Sequence, residues 1–195
     1  MNNGIIDADI SSGWLKMNHQ IAYNAMKFAM KAHGDQKRKY TGNPYWNHLA
    51  EVAGMVSTIH QEQEVIAVAW LHDCLEDCDV TYDDLDQNFG RLIAEGVLAL
   101  SDLEQGNRAE RNQQSRERLC RQDKWIQDIK VCDLISNTSS IVQHDPNFAK
   151  VYLAEKRLML EVLNKADALL LEIAHQMIKG DGRELEMPKR VLFDR

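Results

Sequence analysis

With 195 residues, 44% of them hydrophobic and 27% charged, the chain has the length of one domain and an ordinary globular balance, which excludes wholesale disorder. Lys and Arg number 23 against 30 Asp and Glu, a formal net charge of -7, so no extended basic surface for duplex nucleic acid is expected. A small polyanion would need a local basic patch. Three prolines and ten glycines are too few for a sandwich or barrel with many tight turns.

The longest apolar runs, such as residues 65–71, fall well short of the ~20 residues that a membrane span requires. The first ten residues, MNNGIIDADI, have neither a basic n-region nor an apolar h-region, so no signal peptide is expected. The expected compartment is the cytoplasm, with Cys74, Cys78, Cys120 and Cys132 as reduced thiols. Cys74 and Cys78 are spaced i, i+4, but the paired CxxC pattern of a zinc site is missing, which argues against zinc there.

In chain order, Ile21, Ala22, Ala25, Met26, Phe28, Ala29 and Ala32 form an apolar stripe, so residues 18–33 read as an amphipathic helix ending at Gly34. Residues 35–45 are polar and broken by Gly42 and Pro44, a loop. Helices follow over about 45–59 and 62–75. The second is apolar on nearly all sides and belongs inside a bundle. Thr81 and Asp84 make a capping-box pattern for a short helix closed near Gly90. Residues 91–101, the charged stretch 108–121 and residues 123–142 read as further helices. Pro146 in a first turn capped by Asp145 opens a helix to about residue 164. A last helix covers 166–179 and stops at Gly180, and the tail 189–195 is expected to dock loosely. No strand pattern or repeat emerges. The expected fold is all-α, a multi-helix bundle in a single domain over 1–195, with residues 146–195 completing it.

The chemistry concentrates in residues 71–77. His72, Asp73, Glu76 and Asp77 lie at helical spacings that bring them to one side of a cylinder. Burying such groups is costly unless they are paired, hydrogen-bonded or bound to a metal. Taken alone, they also read as solvated charges at a helix end. Two further residues favour a metal: His48, and Asp133, an acid flanked by apolar residues on a long helix. Two imidazoles and two carboxylates form a mixed N/O set suited to Mn²⁺, Fe²⁺ or Zn²⁺. Residues 37–39, Lys-Arg-Lys, are the densest basic cluster, and alone they read as a solvated loop. Arg108, Arg111, Arg116 and Arg118 are within reach of a distal phosphate from their helix, but such a run reads first as a solvated face shared with Glu110 and Glu117. His33, a further candidate ligand at the end of a helix near the basic loop, reads mainly as a helix-end residue packed near the site.

Over residues 20–145 the sequence resembles the hydrolase domain of the RelA/SpoT family, especially its small stand-alone alarmone hydrolases, which are all-helical HD-domain enzymes. The resemblance rests on Arg38-Lys39, Gly42, Pro44-Tyr45 and His48, then His72-Asp73-x-x-Glu76-Asp77. Thr81, Phe89-Gly90 and Lys130-x-x-Asp133-x-x-x-Asn137 complete it. It implies a bundle of the HD-domain phosphohydrolase type. It also implies His48, His72, Asp73 and Asp133 as ligands of Mn²⁺ or another divalent transition metal. Glu76 and Asp77 are then the acidic pair that positions and activates water, and Arg38, Lys39 and Asn137 contact substrate. The implied reaction removes pyrophosphate from the 3′ position of guanosine tetra- or pentaphosphate ((p)ppGpp), a small nucleotide polyphosphate. The sequence departs from the family at Leu49 for Pro, at Cys78 for Thr, and at residues 132–137, where Cys-Asp-Leu-Ile-Ser-Asn replaces Ala-Asp-Arg-x-His-Asn. These departures keep open an adenosine alarmone or another phosphoester, and with it an HD-type nucleotidase or phosphatase; the intact Glu76-Asp77 pair argues against the remaining alternative, an inactive nucleotide-binding domain.

Overall fold

The computed structural model describes residues 20–179. Ten helices occur among them, in the order α1 (Ile21–His33), α2 (Trp46–Val56), α3 (Gln63–Leu71), α4 (Cys74–Asp77) and α5 (Tyr82–Phe89), then α6 (Arg91–Leu100), α7 (Arg108–Leu119), α8 (Lys124–His144), α9 (Pro146–Val162) and α10 (Ala168–Lys179). The only bridge pairing among the described residues is an isolated one between Lys37 and Pro44. The expected all-α bundle is borne out. The starting residues 18–19 of the first predicted helix, the stop at Gly180 and the tail 189–195 lie outside the described residues.

Local signals explain several element ends. Thr81 accepts from the Asp84 amide while the Asp84 carboxylate accepts from Thr81, the capping box expected for α5. Asp145 accepts from the Phe148 amide at 3.1 Å and Pro146 fills the first turn of α9, as its sequence predicts. Gly90, at φ 84°, serves as both the last cap of α5 and the first of α6, a backbone conformation that costs other residues 1–2 kcal/mol or so.

α3 runs through the interior with Val65, Ala67, Val68, Ala69 and Leu71 buried, packed on α1, α2 and α6. α8 is the second interior helix. It contacts α2, α9 and α10 and is buried on nearly all sides from Ile126 to Ser136. Its polar residues fasten the surrounding loops. Gln127 donates to the Leu119 carbonyl at 3.0 Å and accepts from the Lys165 amide at 2.9 Å. Asp128, fully buried, takes Lys124 and His60 at 2.8 Å each and the Asp167 amide at 2.6 Å. A buried carboxylate is tolerated here because each of these groups offsets its desolvation. α6 reaches α8 closely at Gly96, where a Cβ would stand 2.7 Å from the Trp125 ring.

One predicted element differs. The helix expected over 62–75 ends at Leu71, and a new turn begins at Cys74. His72 and Asp73 occupy the break. The His72 ring Nδ1 bonds back to the Ala69 carbonyl at 2.8 Å, which fixes the imidazole at the end of α3. The four ionisable groups therefore do not share one side of a single cylinder. Asp73 turns toward α2 and α8, whereas Glu76 reaches the Asp102 amide and Asp77 reaches Gln36.

Candidate metal centre and adjoining cavity

Three elements meet at the break between α3 and α4. α2 brings His48 in its first turn, the break supplies His72 and Asp73, and α8 supplies Asp133 from its middle. His48 Nε2 lies 3.4 Å from Asp73 Oδ2 and 3.4 Å from Asp133 Oδ1. His72 Nε2 lies 3.2 Å from Asp73 Oδ2 and 3.9 Å from Asp133 Oδ1. Metal–nitrogen and metal–oxygen bonds of about 2.0–2.2 Å put adjacent donors roughly 3–3.5 Å apart, close to this spacing. His48 and His72 are 1% and 3% exposed, so the donors are withdrawn from bulk water.

The ring orientations explain how the donors are aimed. The Nδ1 of His72 faces a carbonyl, which only accepts, so Nδ1 carries the proton. Ser136 Oγ donates to Glu51 and stands 2.8 Å from His48 Nδ1, so His48 Nδ1 donates to that oxygen. In the neutral rings that cation binding requires, both Nε2 atoms are lone-pair donors. Both are fully buried and neither has a hydrogen-bond partner among the described residues. Orphaned buried polar atoms are costly, and a cation between the two rings and two carboxylates removes that cost. The residues present therefore fit a divalent cation. His48, His72 and Asp133 form a donor set within 4.8 Å, and Asp73 joins it through the distances above.

The same proximity shows in the electrostatics. Burial pushes the His48 imidazole down, but Asp133 and Asp73 overcome this and lift it to about 9. His72 is raised in the same way by Asp73 and Asp133. Burial pushes Asp73 up, and the His72 and His48 rings hold it well below the carboxylate range. Asp133 is likewise lowered, against burial, by Lys130 and the two rings. Lys130 Nζ sits 3.2 Å from Asp133 Oδ2 and 3.5 Å from Asp102 Oδ2, a buried ammonium with two acidic neighbours. Tyr45 donates its hydroxyl to Asp73 at 2.7 Å.

Of the remaining sequence-predicted residues, Glu76 and Asp77 follow Asp73 within one turn. Burial, opposed by Lys130, raises the Glu76 carboxyl to about 7. Asp77 accepts from Gln36 at 3.1 Å. Asn137 donates to Asp133 Oδ1 at 2.6 Å and also lines a cavity. Arg38 is 10% exposed and stands behind the cluster. It donates to Glu51 at 2.9 Å and to the Ser136 carbonyl at 3.3 Å, completing an Arg38–Glu51–Ser136–His48 relay. Lys39 turns away toward α9, its ammonium 5.0 Å from the Tyr40 ring and 5.9 Å from the Phe148 ring.

Beyond Asn137 opens a cavity of about 440 Å³ between α7, α8 and α9, lined among others by Arg108, Arg111, Phe148, Tyr152 and Lys156. Lys156 has no ion-pair partner among the described residues, and burial followed by Lys130 lowers its ammonium. The arginines of α7 are not uniformly a solvated face. Arg108 clamps Glu155 with two bonds of 2.6 and 2.7 Å. Arg118, 22% exposed, ties down Asp102 and Glu104 at 2.8 and 2.7 Å. Sequence reasoning assigned no site role to Tyr45, Glu51, Lys130, Ser136 or the α9 residues. Only Tyr45 and Lys130 carried a signal, as members of the quoted motifs.

Bundle and site together define an HD-type domain. The HD domain family matches residues 25–134, and the chain belongs to it. Among curated relatives, a guanosine-3′,5′-bis(diphosphate) 3′-pyrophosphohydrolase of Aquifex aeolicus is 32% identical over 120 residues, 60% of this chain and 17% of that protein. A GTP pyrophosphokinase rsh of Brucella ovis is 39% identical over 87 residues, 45% of this chain and 12% of that protein. The chain thus spans less than a fifth of these relatives' length. A solved structure described as a metazoan ortholog of SpoT that hydrolyzes ppGpp superposes with a TM-score of 0.77 at 22% identity, covering 83% of this chain and 96% of that one. The resemblance to RelA/SpoT hydrolase domains is borne out by these relatives. No described helix is long and apolar enough to cross a membrane.

Proposed function

We propose that this chain, acting in the cytoplasm as one HD-type domain, is a divalent-metal-dependent hydrolase that removes pyrophosphate from the 3′ position of (p)ppGpp or a close analogue. The reading rests on the convergence of His48, His72, Asp73 and Asp133, whose two imidazole Nε2 atoms have no hydrogen-bond partner among the described residues. These four residues would hold Mn²⁺ or a similar ion, which when bound supplies Lewis acidity toward phosphate oxygens and water.

The chain's own groups do the rest. Glu76, held near 7, is a carboxylate matched to taking a proton from water at neutral pH. Asp77, on the same turn, orients that water. Asn137 bridges the cluster and the cavity, so its amide spans the cation site and the nucleotide. Lys156 and Arg111 supply positive charge to the polyphosphate, and Phe148 and Tyr152 offer apolar ring surface. Phosphoryl chemistry of this type depends mainly on positioning and charge stabilisation, which such a set provides.

Purified protein with Mn²⁺ is assayed on ppGpp, ppApp and nucleoside monophosphates. Pyrophosphate released from ppGpp is expected. Orthophosphate from monophosphates alone would support an HD-type nucleotidase, and tight ppGpp binding without product would support a non-catalytic domain.

A further inference from the structure

A second cluster of donors lies beside the first and takes no part in it. His33 ends α1, Cys74 opens α4 and Cys78 closes it. One ring nitrogen of His33, Cys74 Sγ and Cys78 Sγ all lie within 4.8 Å of one another, and His33 Nε2 is 3.9 Å from Cys74 Sγ. Residues 33 and 74 are far apart in sequence, which is why the i, i+4 cysteine pair looked incomplete on its own.

The imidazole is aimed as a ligand would be. His33 is 4% exposed. Its Nδ1 meets the Gln36 side-chain oxygen at 2.7 Å, and that oxygen only accepts, so the proton sits on Nδ1 and the Nε2 lone pair points at the sulfurs. The ring is stacked on Tyr45 at 4.8 Å, which fixes its plane. A histidine oriented by a hydrogen bond from its far nitrogen is the arrangement that metal ligands use.

We propose that His33, Cys74 and Cys78 form a separate cation site for a thiophilic ion of the Zn²⁺ type. Zinc–sulfur bonds of about 2.3 Å and zinc–nitrogen bonds of about 2.0–2.1 Å put neighbouring donors of a tetrahedral site roughly 3.5–3.8 Å apart. The 3.9 Å separation is nearly there, and the 4.8 Å limit leaves about 1 Å to close. Binding releases the two thiol protons to solvent and forms two sulfur–metal bonds and one nitrogen–metal bond. The fourth position is left for water. The half-buried Cys78 gives the ion a way in, whereas Cys74 is fully enclosed. Donor chemistry separates the two sites. Two sulfurs favour a soft ion, and the His₂Asp₂ cluster favours a harder one. They share walls, because Tyr45 also donates to Asp73 and Gln36 also donates to Asp77. The proposal stands whatever the substrate of the hydrolytic site.

The test uses Cd²⁺ as probe on the full chain, with excess Mn²⁺ present and Cys120 replaced by Ser. A sulfur-to-cadmium ultraviolet band saturating at one equivalent is expected. The affinity should fall at least tenfold in both Cys78→Ser and His33→Gln and stay within twofold in Asp133→Asn. On the unaltered chain, Zn²⁺ should protect Cys78 from alkylation while Cys120 stays reactive, a readout that needs no variant to fold. Absence of the band together with no protection of Cys78 would overturn the site. So would a band unchanged in Cys78→Ser and His33→Gln.

Discussion

The cation cluster and the neighbouring cavity are built differently. In the cluster, donors from α2, from the α3–α4 break and from α8 stand 3.2–3.9 Å apart, are withdrawn from water and are held by their own hydrogen bonds. In the cavity, charges on α7 and α9 are partly satisfied by each other, as in the Arg108–Glu155 clamp, while Lys156 has no ion-pair partner among the described residues. The cluster is prepared before any ligand arrives, and buried groups of that kind leave little room for substitution. On the proposed reading the cavity exchanges internal ion pairs for phosphate, so changes there should be graded.

The sharpest break is at the cluster. His72→Ala should lose bound Mn²⁺ and all measurable turnover, read by elemental analysis and by product release. A variant that retained both would dissolve the contrast. Glu76→Gln comes next. It should keep the metal and lose about 10²–10⁴-fold in kcat. Its pH profile gives the sign. Because burial raises the Glu76 carboxyl to about 7, the group is protonated below that pH and cannot accept a proton, so wild-type activity should fall as pH drops through 7. The Gln variant should lack that acidic limb.

Ser136→Ala probes the relay behind the cluster. It removes the group that fixes the His48 tautomer and should weaken Mn²⁺ binding by roughly 10–100-fold, measured by titration, with the fold intact. The smallest effect belongs to the cavity. Lys156→Met should raise KM for ppGpp by about tenfold with little change in kcat or metal content, the loss expected for one charge-assisted contact. A loss of metal in Lys156→Met would merge the two regions that the structure separates.

What the sequence made legible follows the same division. The helices were readable because their signals are local: the apolar stripe of α1, the Thr81–Asp84 box, and Asp145 with Pro146. The four cluster residues were readable because each is an ionisable group in an apolar stretch or a quoted motif. The break at His72–Asp73 was not, since no Gly or Pro marks it and the His72 ring bonding to Ala69 helps to end the helix. The orientation of Arg38 behind His48 depends on Glu51 and Ser136, and Ser136 is nearly a hundred positions away from it in the chain. The wall contributed by α9 lies past the end of the recognised motifs, and only packing on α8 brings Phe148, Tyr152 and Lys156 to the cavity.

The most direct measurement is anomalous diffraction at the manganese edge from crystals grown with Mn²⁺. A peak within about 2.0–2.2 Å of His48 Nε2, His72 Nε2 and a carboxylate oxygen each of Asp73 and Asp133 is expected. A manganese peak elsewhere, with these four side chains free of it, would show that the cluster is not a metal site.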